Sequence, residues 1–330
     1  MRSRLIARAL ADVSPYDQWR AAFRYLRAGL MMDGWALHEA RRNIHDHPAN
    51  FLPTDAPAWD GAAGLKGKRI LLWHEQGLGD SILLFRFVPH LIRLGARVIL
   101  AVQPPLARLA AQIPGIAGTV TDGETFEDPD FHAPLFSLPY LLGVRLGNLP
   151  STVPYLSLPP GVVATWHDRL GPRIRPRIGL IVSGNPAYRT DAARRVPLDA
   201  TAPLLAMPGY EFHLLQNHLR PDDADALVRY PVLHTHFPDL TDVAEVGGLA
   251  TQMDLILSSC TMGAHLAGAL ALPVWLMLGS ASFHIWLQDR TDSPWYPTAR
   301  LFRQDATGTW PPVIDRIRAA LPLFPVCPTD

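Results

Sequence analysis

Residues 69–94 read RILLWHEQGLGDSILLFRFVPHLIRL, and this stretch decides the fold. Its first five residues form an apolar run of the length of a β-strand. A short loop with Gly77 and Gly79 follows, and a helical pattern then extends over residues 80–94. A buried strand that leads through a glycine loop into a helix is the first part of a parallel α/β unit. The sequence therefore predicts an α/β protein with a parallel sheet.

The same alternation of strands and helices continues along the chain and then starts again. In the first half, strands are predicted at residues 97–102 and near Thr119 and Phe131, with a helix at 105–111. Proline-rich sequence at residues 150–160 marks a boundary. Beyond it, strands are predicted at 177–182, 211–215, 254–257 and 273–278, and helices at 200–207, 243–250 and 263–270. Two such halves predict two Rossmann-like domains facing a cleft, with a ligand at the C-terminal ends of the strands.

A helical segment precedes the first α/β half. Residues 14–47 have a helical pattern that is interrupted at Gly29, which predicts two antiparallel helices. Prolines among small and polar residues between positions 48 and 67 indicate a linker. The predicted domains are therefore residues 1–58 (helical segment and linker), 59–160 and 161–330.

Composition limits the classes of function. A chain of 330 residues is too long for one ordinary core and predicts two compact domains. Thirty basic and thirty acidic residues cancel, so no overall charge attracts nucleic acid or an anionic membrane. Cys260 and Cys327 have neither a disulfide framework nor a zinc-type spacing, and no apolar run approaches the roughly 20 residues of a transmembrane helix. A cytoplasmic protein with no transmembrane segment and no nucleic-acid partner is predicted.

The loop after the first strand contains the first candidate for chemistry, Asp80. The loop is similar to a dinucleotide-binding fingerprint, but Ile82 occupies the place of the third glycine, so NAD fits poorly. A carboxylate at the start of a helix is stabilised in its ionised form by the helix dipole, by about 0.3–1 kcal/mol. Such a carboxylate suits a general base that accepts a proton from an attacking hydroxyl. The alternative is that Asp80 only caps its helix.

Arginines follow the first strand of the second half. Arg189, Arg194 and Arg195 lie within seven residues, and their guanidinium groups can bind a diphosphate. This pattern predicts an anion site. The alternative is a solvated basic turn in which Asp191 is the internal partner.

A helix of small residues begins near Thr261, whose hydroxyl is predicted to cap it. Free amide groups at such a helix start bind phosphate. His265 lies one turn later on the same face, and it either contacts a ligand or is a structural residue bonded to a neighbour. Cys260 beside His265 also matches a cysteine nucleophile, but no orienting carboxylate or oxyanion hole accompanies it.

Several segments together resemble one family, the bacterial heptosyltransferase-like (family 9-like) glycosyltransferases of the type that follows tetratricopeptide repeats. The matching segments, in the order of that family, are EQGLGD (75–80), VQPP (102–105), SGNP (183–186), AHLAGAL with PVW (264–275) and DSPWYP through RLFRQ (292–304). Residues 26–42 resemble the last tetratricopeptide unit ahead of such domains.

This resemblance implies a GT-B fold, no catalytic metal and no cofactor, with a nucleotide-sugar as co-substrate. It implies inverting transfer of a hexose or heptose to a glycan, a lipid-linked glycan or a protein hydroxyl. Asp80 would be the catalytic base. The acceptor side would include His74, Gln76, Gly77 and Gly79, and the donor side Asn185, Arg189, Arg194, Gln216, Thr261, Gly263 and His265.

The sequence departs from the family pattern at two places. Cys260 stands where family members usually carry an aspartate. Family members also commonly carry acidic and aromatic residues and an arginine in the stretch that residues 282–285 occupy here as SFHI. The alternative function is therefore a catalytically weakened relative that acts as a binding or scaffold protein. Such a protein would contact a protein partner through its N-terminal helices. A nucleotide-sugar epimerase with the same fold is a third possibility.

Overall fold

The computed structural model describes residues 13–48, 54–185, 191–280 and 282–325. The chain forms two compact units. Unit 1 contains the chain up to Tyr155 together with Phe283–Arg290, and unit 2 contains Leu156–Ser282 and the chain from Thr291 onward. This division differs from the predicted domains, because the N-terminal helices belong to the same unit as the first α/β half. A short segment from the second half also belongs to unit 1.

The first helices of unit 1 among the described residues are α1 (Pro15–Arg27) and α2 (Met31–His38). Its other strands and α-helices are β1 (Arg69–Trp73), α3 (Leu78–Leu84), α4 (Val88–Arg93), β2 (Arg97–Ala101), α5 (Ala107–Ala110), β3 (Gly118–Val120), β4 (Phe131–Pro134) and α6 (Leu138–Leu141). Its 3-10 helices are Glu39–Asn43, Phe85–Phe87, Pro104–Leu106, Leu135–Ser137, Leu146–Asn148 and His284–Trp286. The four strands form a parallel sheet with the order β3-β2-β1-β4.

The first predicted strand agrees with β1, but the predicted helix at residues 80–94 is divided. A 3-10 turn separates α3 from α4, and Pro89 in the first turn of α4 explains the break. Proline has no amide hydrogen, and its ring collides with the carbonyl of the residue four positions earlier. The break is therefore encoded locally, by one residue.

The N-terminal helix pair is closely packed. Leu26 of α1 and Trp35 of α2 are buried, and a Cβ added to Gly34 would lie 2.6 Å from the Leu26 side chain. Ser14 caps α1 by accepting a hydrogen bond from the Asp17 amide at 3.2 Å. The two predicted helices are thus confirmed, whereas a tetratricopeptide arrangement stays a prediction.

The segment Phe283–Arg290 packs against these helices. The His284 ring lies 5.3 Å from the Phe23 ring and 5.6 Å from the Trp35 ring, between ring centroids. His284 and Ile285 are both buried. Part of the sequence that departs from the family pattern therefore contributes to the packing of the N-terminal helices.

Unit 2 contains a larger parallel sheet with the order β10-β9-β8-β5-β6-β7. Its elements are α7 (Val162–Leu170), β5 (Arg177–Ile181), α8 (Asp191–Arg194), α9 (Ala202–Leu205), β6 (Glu211–Leu214), α10 (Pro221–Leu227), β7 (Leu233–His234), α11 (Val243–Ala250), β8 (Leu255–Ser259), α12 (Met262–Ala269), β9 (Val274–Leu278), β10 (Ala299–Arg303) and α13 (Pro311–Ala320), with 3-10 helices at Leu198–Thr201 and Leu321–Leu323. The predicted α/β architecture with parallel sheets is confirmed. Within the described ranges, no helix has the length and hydrophobicity needed to cross a bilayer.

We expect Gly268→Ala to destabilise unit 2 by about 1–3 kcal/mol, because it overfills a packed core. A Cβ at Gly268 would lie 2.3 Å from Cδ1 of the Tyr296 ring, which is completely buried. Denaturant unfolding measures the effect. The control is Gly64→Ala, where an added Cβ meets no atom within 4 Å. Equal unfolding midpoints for the two variants would contradict this account of the packing.

Three histidines stack at the β6–β7 edge of the unit 2 sheet. The ring of the buried His213 lies 4.8 Å from that of His234 and 5.4 Å from that of His236, and its Nδ1 is 3.1 Å from Nε2 of His236. Burial, together with the nearby charges of His234, His236 and Arg177, lowers the pKa of His213 to about 3. His213 is therefore neutral in the folded protein at any pH near neutrality.

Acidification is expected to destabilise the protein through His213. Below pH 6.5 this histidine is protonated in the unfolded chain but not in the folded chain. The contribution of His213 to stability is therefore fully present above pH 6.5 and is lost as the pH falls toward 3. The loss attributable to His213 is about 2 kcal/mol at pH 5. Chemical unfolding at pH 7.5 and pH 5 measures it, with His213→Gln as the non-titrating control. An identical pH dependence in the control would contradict the assignment.

Candidate functional site

Each sheet has one point at which its strand order reverses. In unit 1 the chain runs from β1 outward to β3 and returns to β4 on the other side of β1. In unit 2 it runs from β5 to β7 and returns to β8 on the other side of β5. Open parallel sheets bind ligands outside the carboxyl ends of their strands at such a point. The candidate loops predicted from the sequence follow β1, β5 and β8, and therefore lie at these two points.

Asp80 is the third residue of α3, and its carboxylate bonds back to the loop. The amide of Gly77 donates a hydrogen bond to Oδ2 of Asp80 at 3.0 Å, which closes the first turn of the helix. The side chain is half-buried. The capping contact is thus present. A carboxylate that accepts one amide bond can also accept a proton, so the catalytic role of Asp80 stays a prediction.

Gln103, which follows β2, fixes the conformation of this loop. Its Nε2 donates to the carbonyl of Gln76 at 2.8 Å, and its Oε1 accepts from the hydroxyl of Ser81 at 2.9 Å. Gln103 belongs to one of the segments of the family resemblance, but it was not predicted as a site residue. Adjacent parallel strands end at the same edge of a sheet, which is the signal that could have identified it.

Glu75 in the same loop is part of a buried ion pair. Nε and Nη2 of Arg41 bind its two carboxylate oxygens at 2.8 and 2.6 Å, and neither side chain is exposed. The Ser137 hydroxyl and the Glu39 carboxylate also bind Arg41. This bidentate geometry makes the arginine–carboxylate contact stronger than a single hydrogen bond between neutral groups. Arg41, in the 3-10 helix Glu39–Asn43, therefore anchors the glycine loop through Glu75.

The predicted acceptor-side residues lie in this one loop with Asp80. His74 is half-buried, and its Nε2 lies 3.7 Å from a carboxylate oxygen of Asp122. Burial lowers the pKa of His74, and Asp122 opposes that shift. Gln76 and Gly77 make the backbone contacts described above, and Gly79 lies within the first turn of α3. Their contact with an acceptor stays a prediction.

Gln216 connects the loops that follow β5 and β6. Its Oε1 accepts from the amide of Val182 at 2.8 Å, and its Nε2 donates to the His218 carbonyl at 2.7 Å and to the Ser183 hydroxyl at 3.3 Å. The side chain is buried. Gln216 thus holds the two loops together at the carboxyl edge of the unit 2 sheet, and its contact with a nucleotide stays a prediction.

Four residues of the second-half loops form a cluster around Asp191, which we call the Asp191 cluster: Gly184, Asp191, Arg194 and Arg220. The Asp191 carboxylate accepts from the Gly184 amide at 3.2 Å, from Nε of Arg194 at 3.1 Å and from Nε of Arg220 at 3.1 Å. A Cβ at Gly184 would lie 2.9 Å from Nη2 of Arg194 and 3.3 Å from Cγ2 of Thr261. A larger residue here would push the Arg194 guanidinium group out of its place in the cluster. Asp191 is thus an internal partner, as the alternative for this loop predicts, whereas the sequence does not predict the contact with Arg220.

The other predicted phosphate contacts of this loop are placed differently. Asn185 is exposed, next to the Asp191 cluster in sequence. Arg189 lies outside the described residues. Arg195 binds the carboxylate of Asp222 at 2.6 Å and that of Asp223 at 3.3 Å. Of the three arginines predicted for this loop, Arg194 is thus the one the described structure places in the cluster.

Thr261 occupies the N-cap position of α12, but its hydroxyl makes no capping hydrogen bond. The predicted cap is therefore wrong. Both the hydroxyl and the amide of Thr261 instead approach the Ser259 carbonyl, at 3.5 and 2.8 Å. This tight turn carries the hydroxyl toward the residue two positions back, away from the first amides of the helix.

Two further donor-side predictions have structural explanations. A Cβ at Gly263 would lie 2.1 Å from Cδ1 of Ile181, so this glycine allows α12 to pack closely on β5. His265 is buried, and its Nδ1 lies 3.0 Å from the Tyr296 hydroxyl. The structural alternative for His265 is therefore observed, and ligand contact by either residue stays a prediction.

Sequence comparison finds a curated relative that aligns with most of this chain. Protein FlbA of Caulobacter vibrioides is 28% identical over 344 aligned positions, which cover 93% of this chain and 56% of FlbA. The chain thus spans about half the length of this curated relative. No protein-family model matches the sequence.

Solved structures show the fold more directly. The E. coli ADP-heptose LPS heptosyltransferase II aligns with a TM-score of 0.55 at 14% identity, over 77% of this chain and 99% of the enzyme. The family 9 glycosyltransferase from Veillonella parvula aligns with a TM-score of 0.56 at 12% identity, over 81% and 92% of the two chains. The chain therefore has the fold of the heptosyltransferases and of the family 9 glycosyltransferases, which confirms the resemblance predicted from its sequence.

Proposed function

We propose that the protein is a nucleotide-sugar-dependent glycosyltransferase. The observation that supports this proposal best is the Asp191 cluster, because it gathers two guanidinium groups at the strand-order reversal of unit 2 in a fold shared with heptosyltransferases. Guanidinium forks match the geometry of phosphate oxygens. The proposal includes the GT-B fold that the family resemblance implies.

The proposed reaction is a single displacement with inversion. Asp80 accepts the proton of an acceptor hydroxyl, and the hydroxyl oxygen forms a bond to the anomeric carbon of the donor. The bond from that carbon to the diphosphate oxygen breaks, and its electron pair leaves with the nucleoside diphosphate. Arg194 and the amides at the start of α12 stabilise the charge that develops on the diphosphate. These groups supply positive charge without a metal ion, so the proposed mechanism is metal-independent.

The proposed donor class is a nucleoside diphosphate sugar. The E. coli structural relative is an ADP-heptose LPS heptosyltransferase. The proposed acceptor is a hydroxyl of a glycan, a lipid-linked glycan or a protein.

Thermal unfolding with a panel of nucleoside diphosphates and nucleotide-sugars tests donor binding. A ligand at one hundred times its Kd adds about 2.7 kcal/mol to the stability of the folded state. We expect at least one member of the panel to raise the unfolding temperature, and that donor to be hydrolysed or transferred in a product assay. No shift with any member of the panel would contradict the proposal.

A binding or scaffold protein is the second candidate. The buried Cys260, in the position of the aspartate usual in the family, favours it. This candidate predicts that no nucleoside diphosphate raises the unfolding temperature and that no donor is consumed, with or without a glycan acceptor. Restored turnover in Cys260→Asp would show that this substitution alone had weakened the enzyme.

A further inference from the structure

The geometry points to Arg220 as a further residue that binds the diphosphate of the donor, and to Asp191 as the residue that positions both Arg220 and Arg194. This inference rests on the proposed function and deepens it. Asp191 begins α8 after β5, and Arg220 directly precedes α10 after β6. The two residues therefore come from the carboxyl ends of neighbouring strands, where a ligand of this sheet would bind.

The exposed fractions of the three side chains show which of them face solvent. The Asp191 side chain is completely buried, whereas 27% of the Arg194 side chain and 18% of the Arg220 side chain are exposed. The carboxylate thus lies behind the two guanidinium groups, and a ligand reaches the arginines first. Asp191 can hold them in place without contacting the ligand itself.

The orientation of the two guanidinium groups favours an anionic ligand. Arg194, Arg220 and Asp191 together carry an excess of one positive charge, which the neighbouring Arg195, Asp222 and Asp223 balance. The carboxylate receives bonds through Nε of Arg194 and through Nε and Nη2 of Arg220. Bonds through these atoms orient a guanidinium plane, and a pre-oriented plane loses less conformational freedom when it binds phosphate oxygens.

A competing interpretation assigns Asp191 the opposite effect. Its carboxylate accepts one backbone amide and two guanidinium groups, which are the donors a phosphate group would use. In that case Asp191 would occupy the place of the ligand and oppose binding. The complete burial of Asp191 argues against this interpretation, and Asp191→Asn separates the two, because they predict opposite changes in affinity.

Isothermal titration calorimetry with inorganic pyrophosphate, and with the nucleoside diphosphate that gives the largest thermal shift, tests the inference. Arg220→Ala is expected to weaken both affinities by about 10- to 100-fold, which corresponds to the loss of a charged hydrogen bond. The affinity for the nucleoside without phosphates is expected to stay unchanged, a selectivity that a merely structural residue would not show. If Arg220→Ala does not fold, Arg220→Lys keeps the charge but loses the fork, and an intermediate loss of affinity is expected.

Asp191→Asn is expected to weaken pyrophosphate binding by about 10-fold or more, although it removes a negative charge that opposes an anion. The matched controls are Arg229→Ala and Asp199→Asn. They remove a guanidinium group and a carboxylate charge from another ion pair of unit 2, in which each side chain is 56% exposed. Neither control is expected to change affinity.

Two results would overturn the inference. The first is an affinity of Arg220→Ala equal to that of the natural protein, and the second is tighter binding of pyrophosphate by Asp191→Asn. Either result leaves the proposed function intact, provided that the natural protein binds a nucleoside diphosphate. If the natural protein binds none, both the proposed function and this inference fail.

Discussion

Asp80→Asn is expected to lower the rate of sugar transfer by about 10²- to 10⁴-fold, the usual contribution of a general base. Donor affinity is expected to stay unchanged, because the proposed donor contacts all come from unit 2. An amide cannot take the proton of the acceptor hydroxyl at neutral pH, so the loss falls on the turnover number. Single-turnover transfer and donor titration measure the two quantities separately.

The structure makes this substitution a clean test. The side-chain oxygen of an asparagine can still accept the Gly77 amide that Asp80 accepts at 3.0 Å, so the first turn of α3 is kept. The matched control is Asp242→Asn, because Asp242 also accepts an amide at the start of a helix, from Glu245 at 2.9 Å. We expect the control to transfer sugar normally. Undiminished turnover in Asp80→Asn would eliminate Asp80 as the base and leave it the capping role alone.

Arg41→Ala is expected to destabilise unit 1 by about 3–5 kcal/mol, because it leaves the buried Glu75 carboxylate without its counter-charge. Both side chains of this pair are inaccessible to solvent. The loss also releases one side of the glycine loop, so any transfer activity is expected to fall with stability. Denaturant unfolding measures the first effect.

The control for this variant is Arg42→Ala. Arg42 is the next residue in the sequence, is 38% exposed and lies 3.9 Å from Glu39, and exposed pairs of this kind contribute about 0–1 kcal/mol. A loss in Arg41→Ala no larger than that in Arg42→Ala would show that the buried pair is not needed.

Acid is expected to reduce the defect of Arg41→Ala. Burial raises the pKa of Glu75, and Arg41 opposes that shift. Without Arg41 the folded state binds a proton at Glu75 more readily than the unfolded chain does, so the difference in stability between the variant and the natural protein becomes smaller as the pH falls. Unfolding of both proteins at pH 7.5 and pH 5 checks the sign, and a difference that grows in acid would contradict it.

The elements that the sequence predicted well have strong local signals. The strands β1, β5 and β9 consist almost entirely of apolar residues, as expected for strands that are covered on both faces, and the sequence predicts their ends to within one residue. α11 was predicted with its observed ends, and Asp242 at its N-cap supplies a local start signal. The short edge strand β7, two residues long, was missed because it has no such run.

The positions of the site loops were also predictable, but their contacts were not. A loop that follows a parallel strand lies at the carboxyl edge of the sheet whatever its sequence, which places Asp80, Arg194 and Thr261. The partners within each loop depend on residues far away in sequence. Glu75 binds Arg41, 34 residues earlier, and Asp191 binds Arg220, 29 residues later. No periodicity connects such pairs.

The amino-acid sequence by itself determined the α/β alternation, the glycine loop before Asp80, the N-terminal helix pair and the likeness to heptosyltransferases, because each rests on residues that are neighbours along the chain. Only the tertiary structure decided which charged groups are buried together. It placed Glu75 and Asp191 in the interior beside arginines, and it gave Gly263 and His265 packing partners on other elements. Burial and ion pairing depend on distances in space, and those distances are set when the strands assemble.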